Sequence, residues 1–303
     1  MMFGFININK PHGVTSRFVV DQIGRFSGQH KVGHCGTLDP IATGVLVLGI
    51  GAATRLVEFV QQMPKSYRGT FLLGCSSETL DVEGEISRVS GATVPSIEAV
   101  QQALQYFHGK LMQQPPQYSA IKVQGRRAYD VARSGKKVVI APREVTIYTI
   151  SLVNFTYPEL TLDITCSGGT YVRAIGRDLA SRLNTSAVMK SLCRTAIGDF
   201  KISESHPPEQ LDKVSISKLL IPPTFAVNHL ERIDLSSDQL VDISHGRKIS
   251  TPVHLVSTPQ SEKSAAFFDG RLVAILHKAE SFQWIPHKVF VRPASKTETS
   301  DKV

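Results

Sequence analysis

The chain has 303 residues, 42% hydrophobic and 20% charged, which supplies a packed core and argues against a disordered protein. Lys and Arg number 34 against 26 Asp and Glu, and the resulting +8 favours a polyanionic partner, nucleic acid first. Four scattered cysteines without a C-x-x-C pair, and no apolar stretch near the ~20 residues that span a bilayer, speak against a disulfide framework, a zinc knuckle and a membrane segment.

Met1 to Lys10 lacks the basic, apolar and small-residue plan of a signal peptide, so a cytoplasmic location is expected. Phe3 to Ile8 reads as a strand. Lys10-Pro11-His12-Gly13-Val14-Thr15-Ser16 reads as a turn, with Thr15 or Ser16 placed to cap a helix. Phe18, Val19, Ile23 and Phe26 recur at helical spacing, which predicts an amphipathic helix over Arg17 to Phe26, closed by Gly28. Gly33-His34-Cys35-Gly36-Thr37-Leu38-Asp39-Pro40-Ile41-Ala42-Thr43-Gly44 then forms a shaped loop. Its glycines permit positive φ, and Pro40 holds Asp39 extended. Val45 to Ile50 is apolar throughout and reads as a buried strand, with a short buried helix as the alternative.

Thr54 to Met63 is predicted helical and stopped by Pro64, and Lys65 to Gly74 is a strand with Tyr67 near its start. A turn-rich acidic stretch runs from Ser76 to Glu85, and a helix from Ser96 to Phe107. From Lys122 to Arg143 seven basic residues face only Asp130, and Arg126 to Arg133 can form a short helix carrying Tyr129. Such a run suits phosphates, although most charge runs are solvated faces. Glu144 to Phe155 and Leu160 to Cys166 are strands, Tyr171 to Leu183 a helix, and Met189 to Ile197 a strand. Ser205 to Pro223, with four prolines, reads as a loose segment and as the approach to a domain boundary. Short strands follow at Val253 to Val256, Ala265 to Phe268, Leu272 to Leu276 and Lys288 to Val291, with Asp269-Gly270 as a hairpin turn. The tail from Ala294 to Val303 is polar.

Asp39 is the main candidate for chemistry. A carboxylate on a rigid loop can act as nucleophile or base, and it can equally be a turn residue bonding its own backbone. Arg173 can hold a carboxylate ionised and oriented, or form a surface pair. Tyr67, Tyr171 and Leu192 are, singly, ordinary core residues. His30 and His34 have the spacing of a helical zinc pair, but the surrounding glycines argue against a helix, and no metal site is expected. Cys35 beside His34 reads as inert rather than as a thiol nucleophile.

Taken together, these segments resemble a known family. The loop from Gly33 to Gly44 is similar to the G-H-x-G-x-L-D-P-x-A-x-G signature of bacterial tRNA pseudouridine-55 synthases, the TruB family. Lys10 to Ser16 resembles its K-P-x-G-x-[ST]-S motif, and Lys65-Ser66-Tyr67-Arg68 its K-x-Y strand. Pro115 to Lys122, with Gly125, Tyr129 and Ala132-Arg133, looks like the opening of its RNA-gripping insertion. Gly169 to Arg173 and Leu192-Cys193-Arg194 match its later motifs in the same order. The likeness spans about residues 5 to 200.

The resemblance implies an α+β fold with a mixed, mainly antiparallel central sheet and a small β-rich C-terminal domain of PUA type. It implies a catalytic domain over 1–229 with the insertion at about 113–143, an RNA-binding domain over 230–293 and a tail over 294–303. The implied activity is conversion of one T-loop uridine of tRNA to pseudouridine by an isomerase with no cofactor, working as a monomer without an obligatory protein partner. Asp39 would be the catalytic carboxylate, attacking C1′ or removing a ribose proton. Arg173 would pair with it, Tyr67 would stack on the uracil, Tyr171 and Leu192 would line the base pocket, and His34 would touch the RNA. Lys122, Arg126 and Arg127 would meet its backbone. The rivals are a guide-RNA-directed synthase and a non-catalytic tRNA-folding chaperone.

Overall fold

The structure, a computed structural model, describes residues 2–118, 122–123, 126–127, 140–250, 262–279 and 283–292. The first half runs β1 (Phe3–Lys10), α1 (Ser16–Ser27), β2 (Val32–His34), β3 (Ala42–Gly51), α2 (Val57–Gln62), β4 (Lys65–Leu73), β5 (Cys75–Ser76), β6 (Ser87–Arg88), α3 (Ile97–Leu104) and β7 (Gly109–Gln113). It continues with β8 (Lys122–Val123), β9 (Arg126–Arg127), β10 (Arg143–Thr156), β11 (Glu159–Cys166), α4 (Val172–Arg182), β12 (Ala187–Ile197), β13 (Phe200–Lys201) and α5 (Lys213–Lys218). Last come β14 (Glu231–Asp234), α6 (Ser237–Ser244), β15 (Ile249–Ser250), β16 (Lys263–Phe268), β17 (Arg271–Ala279) and β18 (Gln283–Val289).

Local chemistry explains the helix ends. Thr15 accepts a hydrogen bond from the Phe18 N–H and so caps α1, while Gly28 closes it at φ 65°. Ser96 caps α3 by accepting from Ala99. The buried face of α1 is Val19, Val20 and Ile23, whereas Phe18 and Phe26 lie outward. Residues 18 and 26 flank the stripe that 19, 20 and 23 define, so only the narrower stripe meets the sheet. Ile97 is likewise exposed, one turn before the buried Val100. The segment from Thr54 begins as 3-10 helix over Ala52–Leu56 and becomes α-helical only at Val57. Val45 to Ile50 is strand, not helix, and is buried on both faces.

The large sheet has the order β1-β3-β12-β4-β11-β10-β7, with β2 on β3 and β13 on β12. β3 and β12 run parallel, while the remaining pairs are antiparallel. The expected mixed, mainly antiparallel sheet is present. One face packs on α1, α3 and α4 through Val19, Ile23, Val100, Leu104, Ile175 and Leu179. The other packs on α2 and on Ala265, Phe267, Leu272 and Ile275 of the second sheet.

That second sheet has five strands in the order β14-β16-β17-β18-β15. Its far face closes over Trp284 with Ile243 of α6. Asp269 and Gly270 take φ 48° and 69° between β16 and β17, the hairpin expected there. The strand expected near Lys288 starts earlier, at Gln283. Ser205 to Pro223 is no loose linker: His206 and Ile221 exchange backbone hydrogen bonds with Asn7 or Asn9 and Phe5 on β1, and α5 lies within it. Arg126–Arg127 pairs with Lys122–Val123 as a small antiparallel ladder, which corrects the helix expected from Arg126. Two residues, one of them Gly125, separate these strands, a spacing that favours a hairpin. The rest of that expected helix, the strand at 253–256 and the tail at 294–303 lie outside the described residues. Among the described residues no helix is long and apolar enough to cross a membrane.

Candidate active site

Three chain segments build a rigid frame around the loop between β2 and β3. The buried Lys10 ammonium donates to the carbonyls of Pro11 at 2.8 Å, Val14 at 2.7 Å and Pro40 at 3.2 Å. The Ser16 hydroxyl donates to the Leu38 carbonyl at 3.0 Å and accepts from the Leu38 N–H at 2.8 Å. Both residues flanking Asp39 are therefore tied to the turn after β1, and only its carboxylate is left to project.

The third clamp is Arg194, 1% exposed. It donates to the carbonyls of Val45 at 2.7 Å, Gly36 at 3.0 Å and Thr37 at 3.4 Å. Strand register puts it there: Arg194 of β12 lies opposite Gly44 of β3 on one side and Tyr67 of β4 on the other. Gly44, at φ 93°, permits this approach, because a Cβ there would sit 2.3 Å from the Arg194 carbonyl oxygen. Arg194→Leu strands three carbonyls in a dry site, so unfolding by urea should show a loss of about 2–4 kcal/mol. Arg194→Lys, with fewer donors, should recover only part of it.

Asp39 meets the Arg173 guanidinium at 3.0 Å. Arg173 is 7% exposed at its side chain, against 40% for Asp39, so a buried cation faces a carboxylate open on one side. Its other nitrogen binds Asp81 at 3.1 Å, whose side chain is 2% exposed. The carbonyls of Thr79 at 2.7 Å and Tyr118 at 3.1 Å accept the remaining contacts. Asp81 also accepts from the Thr79 hydroxyl at 2.6 Å and the Glu83 N–H at 3.2 Å. Partial burial, then the charges of Asp81 and Asp39, raises the pKa of Glu83. One guanidinium thus joins two carboxylates from distant loops.

Arg173 reaches this point because α4 lies close against β4. A Cβ on Gly176 would sit 2.3 Å from the Phe71 ring, so any larger residue would lift the helix. Tyr67 is half-buried, two residues from Gly69, against which Leu192 packs. Burial chiefly raises the pKa of the Tyr67 hydroxyl, with Arg194 opposing and Asp39 adding to the rise, so it stays a phenol at neutral pH. Leu192 is 8% exposed and lies opposite Ala42, where the loop rejoins β3. Tyr171 caps α4, with the Arg143 guanidinium 4.7 Å over its ring. His34 ends β2. Burial, then Arg194 and Arg17, lowers its pKa, leaving a neutral ring at pH 7 whose Nδ1 accepts weakly from Gly36 at 3.4 Å.

Asp39 and Arg173 are therefore brought into contact, and Tyr67 and Leu192 lie on the strands beside them. Lys122, Arg126 and Arg127 contribute the backbone of the β8–β9 ladder. Burial pushes the Cys35 thiol up to about 12, which suits an inert core residue. Among the described residues no group of three or more His, Cys, Asp or Glu could hold a metal. The sequence alone did not single out Asp81, hidden in a turn-rich acidic stretch, gave no role to Lys10 or Arg194, and offered Ser16 only as a helix cap, although the last three stand in the family motifs. The available signal was that Lys10 ends an apolar strand and Arg194 interrupts another.

A family model described as TruB family pseudouridylate synthase (N terminal domain) matches residues 25–172. A curated tRNA pseudouridine synthase B of Dehalococcoides mccartyi is 36% identical over 304 residues, covering 99% of this chain and 100% of that one. One of Clostridium kluyveri is 34% identical, covering 96% and 100%. Among solved structures, a chain of an H/ACA RNP bound to a substrate RNA containing 2′-deoxyuridine superposes with a TM-score of 0.72 at 21% identity, over 96% of this chain and 86% of that chain, a likeness of fold. The relatives match nearly end to end, and the carboxylate-bearing loop falls inside the matched region: the chain belongs to the TruB family of pseudouridylate synthases.

Proposed function

We propose that this protein isomerises a single T-loop uridine of tRNA, at position 55, to pseudouridine, using Asp39 and no cofactor. The observation that carries the reading is the Asp39–Arg173 contact, a carboxylate held by a buried cation and open on one side. The curated relatives named tRNA pseudouridine synthase B support the substrate.

The contact suits the chemistry that this reading requires. The N1–C1′ bond breaks with its electron pair going to N1, the uracil turns, and C5 bonds to C1′. The C5 proton then leaves and N1 takes up a proton, so the net change is an isomerisation. As nucleophile, Asp39 bonds to C1′ as N1 leaves and is released when C5 takes its place. As base, it takes a ribose proton and later returns it. In both routes Arg173 keeps it charged and aimed. A stacked base is out of reach of a side chain, so the nucleotide flips out at a cost of a few kcal/mol. The Tyr67 ring is a platform for the flipped uracil, with Leu192 and Tyr171 as walls, and the neutral His34 ring meets the RNA at the vacated place. The basic segment that holds Lys122, Arg126 and Arg127 follows the phosphates, which suits recognition of a loop by shape. We read 1–229 as the catalytic domain and the five-stranded sheet, within 230–293, as a PUA-like RNA-binding domain. The protein works as a monomer in the cytoplasm.

An unmodified tRNA transcript incubated with purified protein alone tests this. Pseudouridine mapping should show one modified T-loop uridine, and a transcript with cytidine there should give none. Product that needs an added guide RNA, or no product under any condition, would overturn the reading.

A further inference from the structure

Tyr171 has a weakly defined backbone by local rules. It follows Gly168-Gly169-Thr170, with Gly169 at φ 86°, and it caps α4 without any side-chain capping bond. In a capping box the third helical residue reaches back to the N–H of the cap. Here that residue is Ala174, which has no such group. A residue 58 positions away supplies it instead. Gln113, fully buried at the end of β7, accepts from the Tyr171 N–H at 2.8 Å through Oε1 and donates to the Tyr171 carbonyl at 3.0 Å through Nε2. Both halves of one amide grip both backbone polar groups of one residue, so the contact is directional as well as dry.

The register partner of Gln113 on β10 is Arg143, whose guanidinium covers one face of the Tyr171 ring at 4.7 Å. The same guanidinium lies against Gly169, where a Cβ would come within 3.3 Å. A paired position on two edge-side strands thus fixes the tyrosine twice, by its backbone and by its ring.

We propose that Gln113 is a positioning residue for the base-pocket tyrosine: its amide sets the backbone of Tyr171, and Arg143 sets the ring. This rests on the reading that Tyr171 lines the uracil pocket. Gln113 touches no reacting atom and acts through Tyr171. Loss of both hydrogen bonds should lower the rate of the chemical step and leave RNA binding alone.

The test is single-turnover pseudouridine formation on a tRNA transcript with full-length Gln113→Leu, Gln113→Glu, Tyr171→Ala and the Gln113→Leu/Tyr171→Ala double variant. Gln113→Leu should slow the reaction by roughly 10- to 100-fold, with the Kd for tRNA unchanged within about threefold. In the double variant it should add nothing to the loss from Tyr171→Ala, the signature of two residues acting as one unit. Gln113→Glu should regain rate, relative to wild type, as pH falls. A protonated carboxyl reproduces the donor and acceptor of the amide, and burial raises its pKa. Its Tm, followed beside the rate, covers the case in which Gln113→Leu fails to fold. A wild-type rate in Gln113→Leu, an equal slowing on the Tyr171→Ala background, or a Gln113→Glu rate that tracks wild type at every pH would overturn the proposal. Failure of the wild type itself to form pseudouridine would instead overturn the function on which it rests.

Discussion

Asp39→Asn should leave a folded protein that binds tRNA and makes no detectable pseudouridine under multiple turnover, with any residual rate seen only in single turnover. The substitution keeps the shape of the side chain and removes its charge. The loop survives because its fixings are Lys10 on Pro40, Ser16 on Leu38 and Arg194 on Gly36 and Thr37, none of which uses the Asp39 carboxylate. Asp39 is 40% exposed at its side chain, so stability should move by no more than about 1 kcal/mol. The size of the rate loss carries mechanistic information. Removing a general base costs about 10²–10⁴-fold, whereas removing the nucleophile of a covalent route costs on the order of 10⁶-fold. Single-turnover assays at saturating enzyme, with filter binding for the Kd, measure both quantities. A variant that retains wild-type rate would remove Asp39 from the mechanism.

Arg173→Ala should abolish activity and also destabilise the fold, and the two effects should separate in a second variant. Arg173 neutralises Asp81, whose side chain is 2% exposed. Taking away one partner of a buried pair leaves an unpaired charge in a dry site, at a cost of about 3–5 kcal/mol. For a chain of this size that corresponds to a fall in Tm on the order of 10 °C. Arg173→Ala/Asp81→Asn removes the stranded charge. The amide oxygen introduced by Asp81→Asn can still accept from the Thr79 hydroxyl, as the carboxylate does at 2.6 Å. Much of the lost stability should return, while activity stays absent because Asp39 still lacks its cation. Thermal melts and the transcript assay on the same preparations check both arms. Equal Tm values for the single and double variants would show that the Asp81–Arg173 pair contributes nothing to the fold.

The loop around Asp39 was legible because its features are local. Glycine and proline act on their own φ and ψ, so the Gly33 to Gly44 segment announced a shaped turn before any contact was known. A cap at Thr15 or Ser16 and a helix start at Ser96 were readable for the same reason, since capping bonds span three residues, and the structure gives the first cap to Thr15. Phe18 and Phe26 misled because helical spacing gives an apolar stripe without its width, and the width depends on what the sheet offers. The loose reading of Ser205 to Pro223 failed similarly: prolines forbid interior helix, yet permit a segment that hydrogen-bonds along β1.

Composition and local backbone chemistry by themselves determined that this is a folded, basic chain of helices and strands with a shaped carboxylate loop, and the ordered motifs pointed to the family and its α+β fold. They did not determine which groups surround that carboxylate. Arg194 holds the Thr37 carbonyl from 157 positions away, Gln113 holds Tyr171 from 58, and Asp81 meets a guanidinium 92 positions away. These meetings follow from β12 inserting between β3 and β4, and from Gly176 letting α4 settle on Phe71. Strand order and helix seating are settled by burial of the whole chain at once, so a buried charge and its partner become visible only when the fold has closed around them.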